Sequence, residues 1–176
     1  MAKGKNEFWE WTKAFLIAIG LAFVIRTFLL APIVVEGSSM MPTLQDHDRM
    51  VVTKVGEPKR FDIVVFHANS KDDYIKRVIG LPGDEIEYKN DTLYVNGKAY
   101  GEAYLDQYKN EYSSQYEGAL TPDFTTVVPD GTFFVMGDNR RNSTDSRHIG
   151  PVPIEQVVGT TKLVYWPFNE IKIVDK

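Results

Sequence analysis

The sequence predicts a mostly β protein carried on an N-terminal membrane-spanning helix. Three observations predict it. Residues 14–25, AFLIAIGLAFVI, form an unbroken apolar run behind a lysine-bearing head. Beyond residue 48, short β-branched runs alternate with Gly, Pro, Asn and Asp turns. No strand–helix–strand rhythm is present, which argues against a doubly wound sheet. The 176 residues suffice for one sizeable domain and a short extra element.

The apolar run comes first. Helix over residues 14–25 alone would reach only about 18 Å, against a hydrocarbon core of about 30 Å. Phe8 to Leu30 is long enough, with Arg26 near one end, where its stem can carry the charge to the interface. Trp9 and Trp11 then fall in the opposite aromatic belt. Lys3, Lys5 and Lys13 outnumber Glu7 and Glu10, which favours a cytoplasmic N-terminus and puts the acidic body outside. The expected division is a cytoplasmic N-terminus over 1–13, a transmembrane anchor over 14–32, and an extracytoplasmic β-rich domain over 33–176. A cleaved secretory signal fits the basic head and apolar run as well. Against it, no small-residue cleavage site follows Ile25, and Pro32 directly after Ala31 is a poor context for cleavage.

The strands follow in order. Asp48–Lys54 (DRMVVTK) and Asp62–Phe66 (DIVVF) are β-branched runs separated by Gly56-Glu57-Pro58. Tyr74–Gly80 (YIKRVIG) is a third strand, stopped by Leu-Pro-Gly-Asp. EIEYKNDTLYVNGKAY reads as short strands joined by turns, with Asn96-Gly97 the strongest hairpin signal in the chain. Pro129-Asp130-Gly131 turns into TFFVMGDN, and Val157–Trp166 supplies a late strand. Residues 101–126 are polar and rich in tyrosine and glutamate. They read as a less regular excursion, with one helical turn around Ala103–Tyr108 and no catalytic role.

Composition excludes some chemistry. A net charge of −4 gives no electrostatic support to a nucleic-acid partner. The absence of cysteine removes disulfides, thiolate catalysis and cysteine-ligated zinc. No cofactor is expected. Two hydroxyls, Ser38 and Ser39, follow the apolar segment directly in VEGSSMMPTLQDHD, and a serine needs a base to become a nucleophile. His47, His67 and His148 show no spacing that supports a triad. The stretch lacks a G-x-S-x-G elbow, and the histidines with Asp138 or Asp145 form no ligand spacing for a metal.

Lysine is the other base. In a strand, Tyr74, Lys76 and Val78 share one face, and Ile75, Arg77 and Ile79 the other. If the first face is buried, Lys76 loses hydration and its pKa falls from about 10.4 toward the range of roughly 7–8 that a base needs. The pattern by itself favours a plainer reading, an edge strand with Lys76 and Arg77 exposed. A third cluster, GDNRRNSTDSRHIGP over 137–151, offers Asp138, Arg140, Arg141, Asp145 and Arg147 for ion pairs and Ser143 and Ser146 as hydroxyls. A polar surface loop has the same composition.

Four of these segments together, SMMPTL (39–44), FDIVVF (61–66), YIKRVIGLPGD (74–84) and GDNRRNSTDSR (137–147), resemble in order the boxes of the type I signal peptidases. They resemble the small single-span form of Gram-positive bacteria, with Phe61 in place of a frequent glycine. The resemblance runs from the apolar segment to about Pro153. It implies a signal-peptidase-type β-fold and a serine endopeptidase that removes signal peptides from secretory preproteins after Ala-x-Ala-type residues. It implies Ser39 as nucleophile and Lys76 as general base, with Ser143 holding the lysine amine. Asp145 and Arg147 would brace the site together with Arg77. The Ser39 N–H would serve the oxyanion; some relatives add a hydroxyl two residues earlier, where this chain has Gly37. Val35, Met40, Leu44, Tyr74 and Ile75 would wall shallow substrate pockets. The partners so implied are preproteins, membrane lipid and the secretion translocon. The rival reading is an anchored extracellular β-domain that binds without catalysis.

Overall fold

A computed structural model describes residues 3–174 of the chain, with residues 3–6 as backbone only. Residues 1, 2, 175 and 176 of the expected N-terminal and β-rich segments lie outside it.

The apolar run folds as α1 (Lys3–Val24), continued by a π-helical turn over Ile25–Leu29. Glu7–Leu29 is long and apolar enough to cross a membrane, and none of its apolar face is buried against the body. Trp9 and Trp11 are exposed near its start. The helix ends earlier than the expected anchor, which ran to residue 32. Leu30–Val34 is instead a strand, β1, paired with β2 (Arg49–Thr53). Pro32 is tolerated there because β1 is an edge strand, where the missing N–H costs no ladder bond. Ile33 and Val35 turn inward onto the core, which a lipid-facing helix would forbid. Lys54 fixes the junction: its Nζ donates to the Thr27 carbonyl (3.0 Å) and its N–H to that of Leu29 (2.9 Å).

The remaining strands are β3 (Ile63–His67), β4 (Asp73–Gly80), β5 (Glu85–Lys89), β6 (Thr92–Val95), β7 (Lys98–Tyr100), β8 (Phe124–Val127), β9 (Thr132–Met136), β10 (Val152–Pro153), β11 (Val157–Trp166) and β12 (Lys172–Ile173). They form an antiparallel sheet in the order β1-β2-β11-β3-β4-β9-β10, with β12 on β11, and a smaller sheet β7-β6-β5-β8. The protein is mostly β, as its sequence predicts. Bulges in β11 at Thr161–Leu163 and Val164–Trp166, and in β4 at Val78–Gly80, curl the large sheet. The Asn96-Gly97 hairpin is present, both residues having positive φ (51° and 75°). Asn90 and Asp91 make a second turn of that kind, with φ of 49° and 59°.

The core has three parts. Ile79, Ile86, Tyr88, Leu93 and Phe134 fill the space between the sheets. Val35, Met40, Leu44, Met50, Ile63 and Val164 lie beneath the turn that follows β1. Val64, Phe66, Val78, Phe133 and Val135 form the third cluster. Residues 101–126 hold more helix than expected: a 3-10 turn over Ala103–Leu105, then α2 (Asp106–Gln115). No residue of α2 is buried, so it has no apolar stripe by which its sequence could announce a helix. The excursion is fixed instead by a wholly buried polar knot. Arg140 Nη2 donates to Glu102 (2.6 Å), Arg140 Nη1 to the Tyr88 hydroxyl (2.7 Å), and that hydroxyl to Glu102 (2.6 Å). Burial raises the Glu102 carboxyl more than any one partner lowers it, but Arg140, the Tyr88 hydroxyl and Lys109 together hold the group below the usual range.

Candidate active site

Ser39 lies in the turn after β1, not in a strand, and the turn sets its hydroxyl over β4. There the Lys76 Nζ stands 2.9 Å from Ser39 Oγ and donates to the Ile75 carbonyl at 2.9 Å. Lys76 is 4% exposed, so the edge-strand reading of an exposed lysine does not hold. Burial strips water from the ammonium and lowers its pKa to about 8, although the charges of Asp145 and Asp138 pull the other way. The Tyr74 ring lies 5.1 Å from Nζ and completes the apolar surround.

The 137–147 loop closes the site from the other side. Asp145 accepts two hydrogen bonds from the Arg147 guanidinium, each of 2.8 Å, and one from the Gly137 N–H at 2.9 Å. Burial would raise the Asp145 carboxyl, but these partners hold it below the ordinary range. Arg77 does not join this pair as expected. Its Nε and Nη2 donate to Asp138 at 2.9 and 2.6 Å, in an ion pair only 1% and 0% exposed. The reason is strand alternation, which sends the neighbouring side chains of Lys76 and Arg77 to opposite faces. Asp138 also accepts from Thr43 (2.5 Å), so one carboxylate ties the serine segment to the lysine strand.

Ser143 was expected on the lysine amine. Its hydroxyl is buried and makes no hydrogen bond to the Lys76 amine; it lies beside Asp145, whose carboxyl it helps to hold low. It packs on Gly137, beside the Ser39 carbonyl. A Cβ at Gly137 would collide with Ser143 Oγ and lie 2.5 Å from that carbonyl, closer than real contacts allow. Gly137→Ala is therefore expected to displace the serine turn. The expected outcome is a loss of stability of about 1–3 kcal/mol by overpacking, with a larger fractional loss of activity than of folded protein at 25 °C. A fully active variant would show that the approach is not needed.

A cleft of about 1300 Å³ runs past both groups, lined by Val35, Ser38, Ser39, Met40, Tyr74, Ile75 and Lys76 among others. Leu44 packs behind this wall, in the cluster with Val35 and Met40, and does not line the cleft. Among the described residues, two strand edges with no neighbouring strand face the cleft. β1 ends the large sheet, and β4 pairs with β9 only from Arg77 onward, leaving one edge of Asp73–Lys76 free. Ser38 donates nothing toward Lys76; its hydroxyl accepts from Asn142 at 3.0 Å. His67 and His148 line the cleft beside Asp73 and Asp145, neither hydrogen-bonded to Ser39, and His47 is exposed beside Asp46. No group of three or more His, Asp and Glu side chains among the described residues could hold a metal ion. Sequence reasoning gave no role to Glu102, Tyr104, Asn139 and Thr43: Thr43 and Asn139 lie inside two of the boxes but act on Asp138 and Ser38, distant in sequence, and Glu102 and Tyr104 lie in the excursion, outside any recognisable spacing.

A serine in contact with a buried, weakly basic lysine, set in a cleft between two free strand edges, is the equipment of a serine hydrolase that works on extended peptide without histidine. Comparison narrows the class. The sequence matches the signal peptidase family, peptidase S26, over residues 8–166. It is 50% identical over 173 residues to a signal peptidase I of Bacillus caldolyticus, covering 92% of this chain and 91% of that one. It is 49% identical to signal peptidase I S of Bacillus subtilis, covering 96% and 94%. The fold is also similar to a crystal structure of a signal peptidase I from Enterococcus faecalis, with a TM-score of 0.56 and 40% identity over 60% of this chain and 97% of that one. The chain belongs to the signal peptidase family, peptidase S26.

Proposed function

We propose that this protein removes N-terminal signal peptides from secretory preproteins, with Ser39 as nucleophile and Lys76 as general base. The observation that carries the reading is the 2.9 Å contact between Ser39 Oγ and a desolvated Lys76 Nζ at the wall of the cleft. Neutral Lys76 takes the Ser39 proton as Oγ attacks the scissile carbonyl. The amine then returns the proton to the leaving nitrogen. The mature protein departs, and the same amine deprotonates the water that opens the acyl-enzyme. The Ser39 N–H is the donor for the oxyanion. Gly37 has no side chain to add a second, and its N–H is taken by Asp46 (2.8 Å). Ser143, a buried hydroxyl beside Asp145, supplies an acceptor for the amine as the reaction turns it.

The substrate lies extended between the free edges of β1 and Asp73–Lys76, forming backbone hydrogen bonds to both. Val35, Met40, Tyr74 and Ile75 wall the cleft beside Ser39, and their bulk leaves room for small side chains such as those of Ala-x-Ala. The helix Glu7–Leu29 anchors the domain in a single pass, with the N-terminus cytoplasmic and the catalytic domain on the outer face. An anchor that ends ten residues before Ser39 keeps the nucleophile at the membrane surface, where a signal peptide emerges. The translocon is the expected neighbour there.

The test is the pH profile of preprotein cleavage in detergent. Activity is expected to rise with pH through an acid limb near 8, because only the neutral amine can accept the serine proton and its pKa is about 8. An excess of chelator is expected to leave the profile unchanged. A limb near 6.5 would point to histidine as the base, and loss of activity with EDTA, restored by metal, to a metal site.

A further inference from the structure

The excursion over residues 101–126, to which the sequence gives no role, reaches the serine turn through one hydrogen-bonded relay. The Tyr108 hydroxyl on α2 donates to Asn139 Oδ1 at 3.0 Å. That bond fixes which end of the amide faces the site, so Asn139 Nδ2 donates to the Ser38 carbonyl at 3.1 Å. The Asn139 backbone N–H donates to the Ser39 carbonyl at 3.0 Å. Asn139 therefore holds both peptide carbonyls that flank the nucleophile. The turn needs such a hold. It begins at Gly37, with φ of +87°, and its internal bonds from Ser38 onward are Met41 N–H to Ser38 O (3.1 Å) and Leu44 N–H to Met40 O (3.0 Å).

We propose that Tyr108 and Asn139 are positioning residues for cleavage: the α2 phenol orients the Asn139 amide, and Asn139 holds the Ser38–Ser39 turn so that Oγ meets the Lys76 amine. The proposal rests on the reading of Ser39 as nucleophile. α2 buries no side chain, so apolar packing does not explain where it sits. Its links to the body are polar: Tyr108 to Asn139, Lys109 to Asp91 and Glu102, and Arg141 to Tyr112. Desolvation and the neighbouring Tyr112 and Tyr116 raise the Tyr108 pKa, which keeps the phenol a donor at the pH where Lys76 is neutral. Neither Tyr108 nor Asn139 lines the cleft. Their effect therefore falls on the geometry of attack and not on substrate binding, and small displacements of a nucleophile cost rate steeply.

The experiment uses the full chain in detergent micelles with a soluble peptide bearing an Ala-x-Ala site. Tyr108→Phe removes one hydroxyl and is expected to lower kcat by about 3- to 10-fold, the worth of one hydrogen bond. KM, the melting temperature and the acid limb near 8 stay as in the parent. Asn139→Ala is expected to lower kcat by roughly 30- to 100-fold, and Tyr108→Phe added to it is expected to cost nothing more, since the phenol acts through the amide. If Asn139→Ala does not fold, Asn139→Asp replaces it. It keeps the acceptor for Tyr108 and loses the donor to Ser38, and it too should be insensitive to Tyr108→Phe. A parental kcat for Tyr108→Phe, or a double variant slowed by the full product of the two factors, overturns the proposal. Ser39→Ala in parallel separates the two levels: if that variant still cleaves, the choice of nucleophile is wrong; if it is inert while Tyr108→Phe is fully active, only the relay is wrong.

Discussion

Ser39→Ala and Lys76→Met proteins are expected to leave a preprotein uncut, with cleavage reduced on the order of 10⁴- to 10⁶-fold, as when a nucleophile or its base is removed from other serine hydrolases. Either loss alone should cost nearly as much as both, because the two groups act as one unit. Ser38→Ala is the control: among the described residues its hydroxyl accepts from Asn142 alone, and substantial activity should remain. Lys76→Met carries a second, opposite effect. The folded pKa of Lys76 is about 8 against 10.5 for a lysine in water, so at pH 7 the folded state holds a charged amine that burial disfavours. Below pH 8 both folded and unfolded chains bind this proton, and the folded chain bears the full penalty. Between 8 and 10.5 only the unfolded chain binds it, so stability climbs with pH, and above 10.5 the penalty is gone. Methionine fills similar space without charge. Lys76→Met should therefore be inert yet more stable at pH 7 by up to about 3 kcal/mol, the gain vanishing in alkali. Urea melts at pH 7 and pH 11 measure it. A variant that is less stable at pH 7 would mean that the amine is not desolvated.

β2 to β7, β9 and β11 were legible in the sequence as short apolar or β-branched runs bounded by turn residues, and β11 falls where Val157–Trp166 predicts it; β8, at the end of the excursion, and the two-residue β10 and β12 were not. α2 was hidden because it buries nothing. β1 was hidden because LAPIV is as apolar as the helix before it; only pairing with Arg49–Thr53 decides that it is a strand. The site divides in the same way. The four ordered boxes pointed to Ser39 and Lys76, but strand alternation alone could say only that Lys76 and Arg77 lie on opposite faces. What buries Lys76 is a turn from 37 residues earlier and a loop from beyond residue 136, and no local pattern contains that. Arg77 was assigned to the Asp145–Arg147 pair because all three lie in the resembling boxes. Its true partner, Asp138, sits in the same box seven residues earlier, on the face that Arg77 occupies.

Asp138→Asn tests how far that buried pair supports the dyad. The exchange keeps the shape of the side chain and an acceptor for Thr43, but it leaves the Arg77 guanidinium charged, 1% exposed and without its counter-charge. Breaking a buried pair in this way costs about 3–5 kcal/mol, far more than the pair itself contributes. A large drop in melting temperature is therefore expected, since the neutral amide oxygen, the Phe61 carbonyl and the Tyr104 ring, 3.9 Å from the guanidinium, replace only part of the lost charge. The same exchange acts on Lys76. Asp138 is one of two carboxylates whose charge raises the amine's pKa against desolvation. Its removal, and the uncovered positive charge of Arg77, both disfavour the ammonium. The acid limb of cleavage should therefore move below 8, and the folded fraction should be faster than the parent at pH 6.5 once activity is corrected for unfolded protein. Arg77→Met separates the two effects: it gives a comparable loss of stability with no uncovered cation. An unmoved acid limb in Asp138→Asn, with the expected fall in stability, would show that Asp138 braces the fold and leaves the tuning of Lys76 to burial and Asp145.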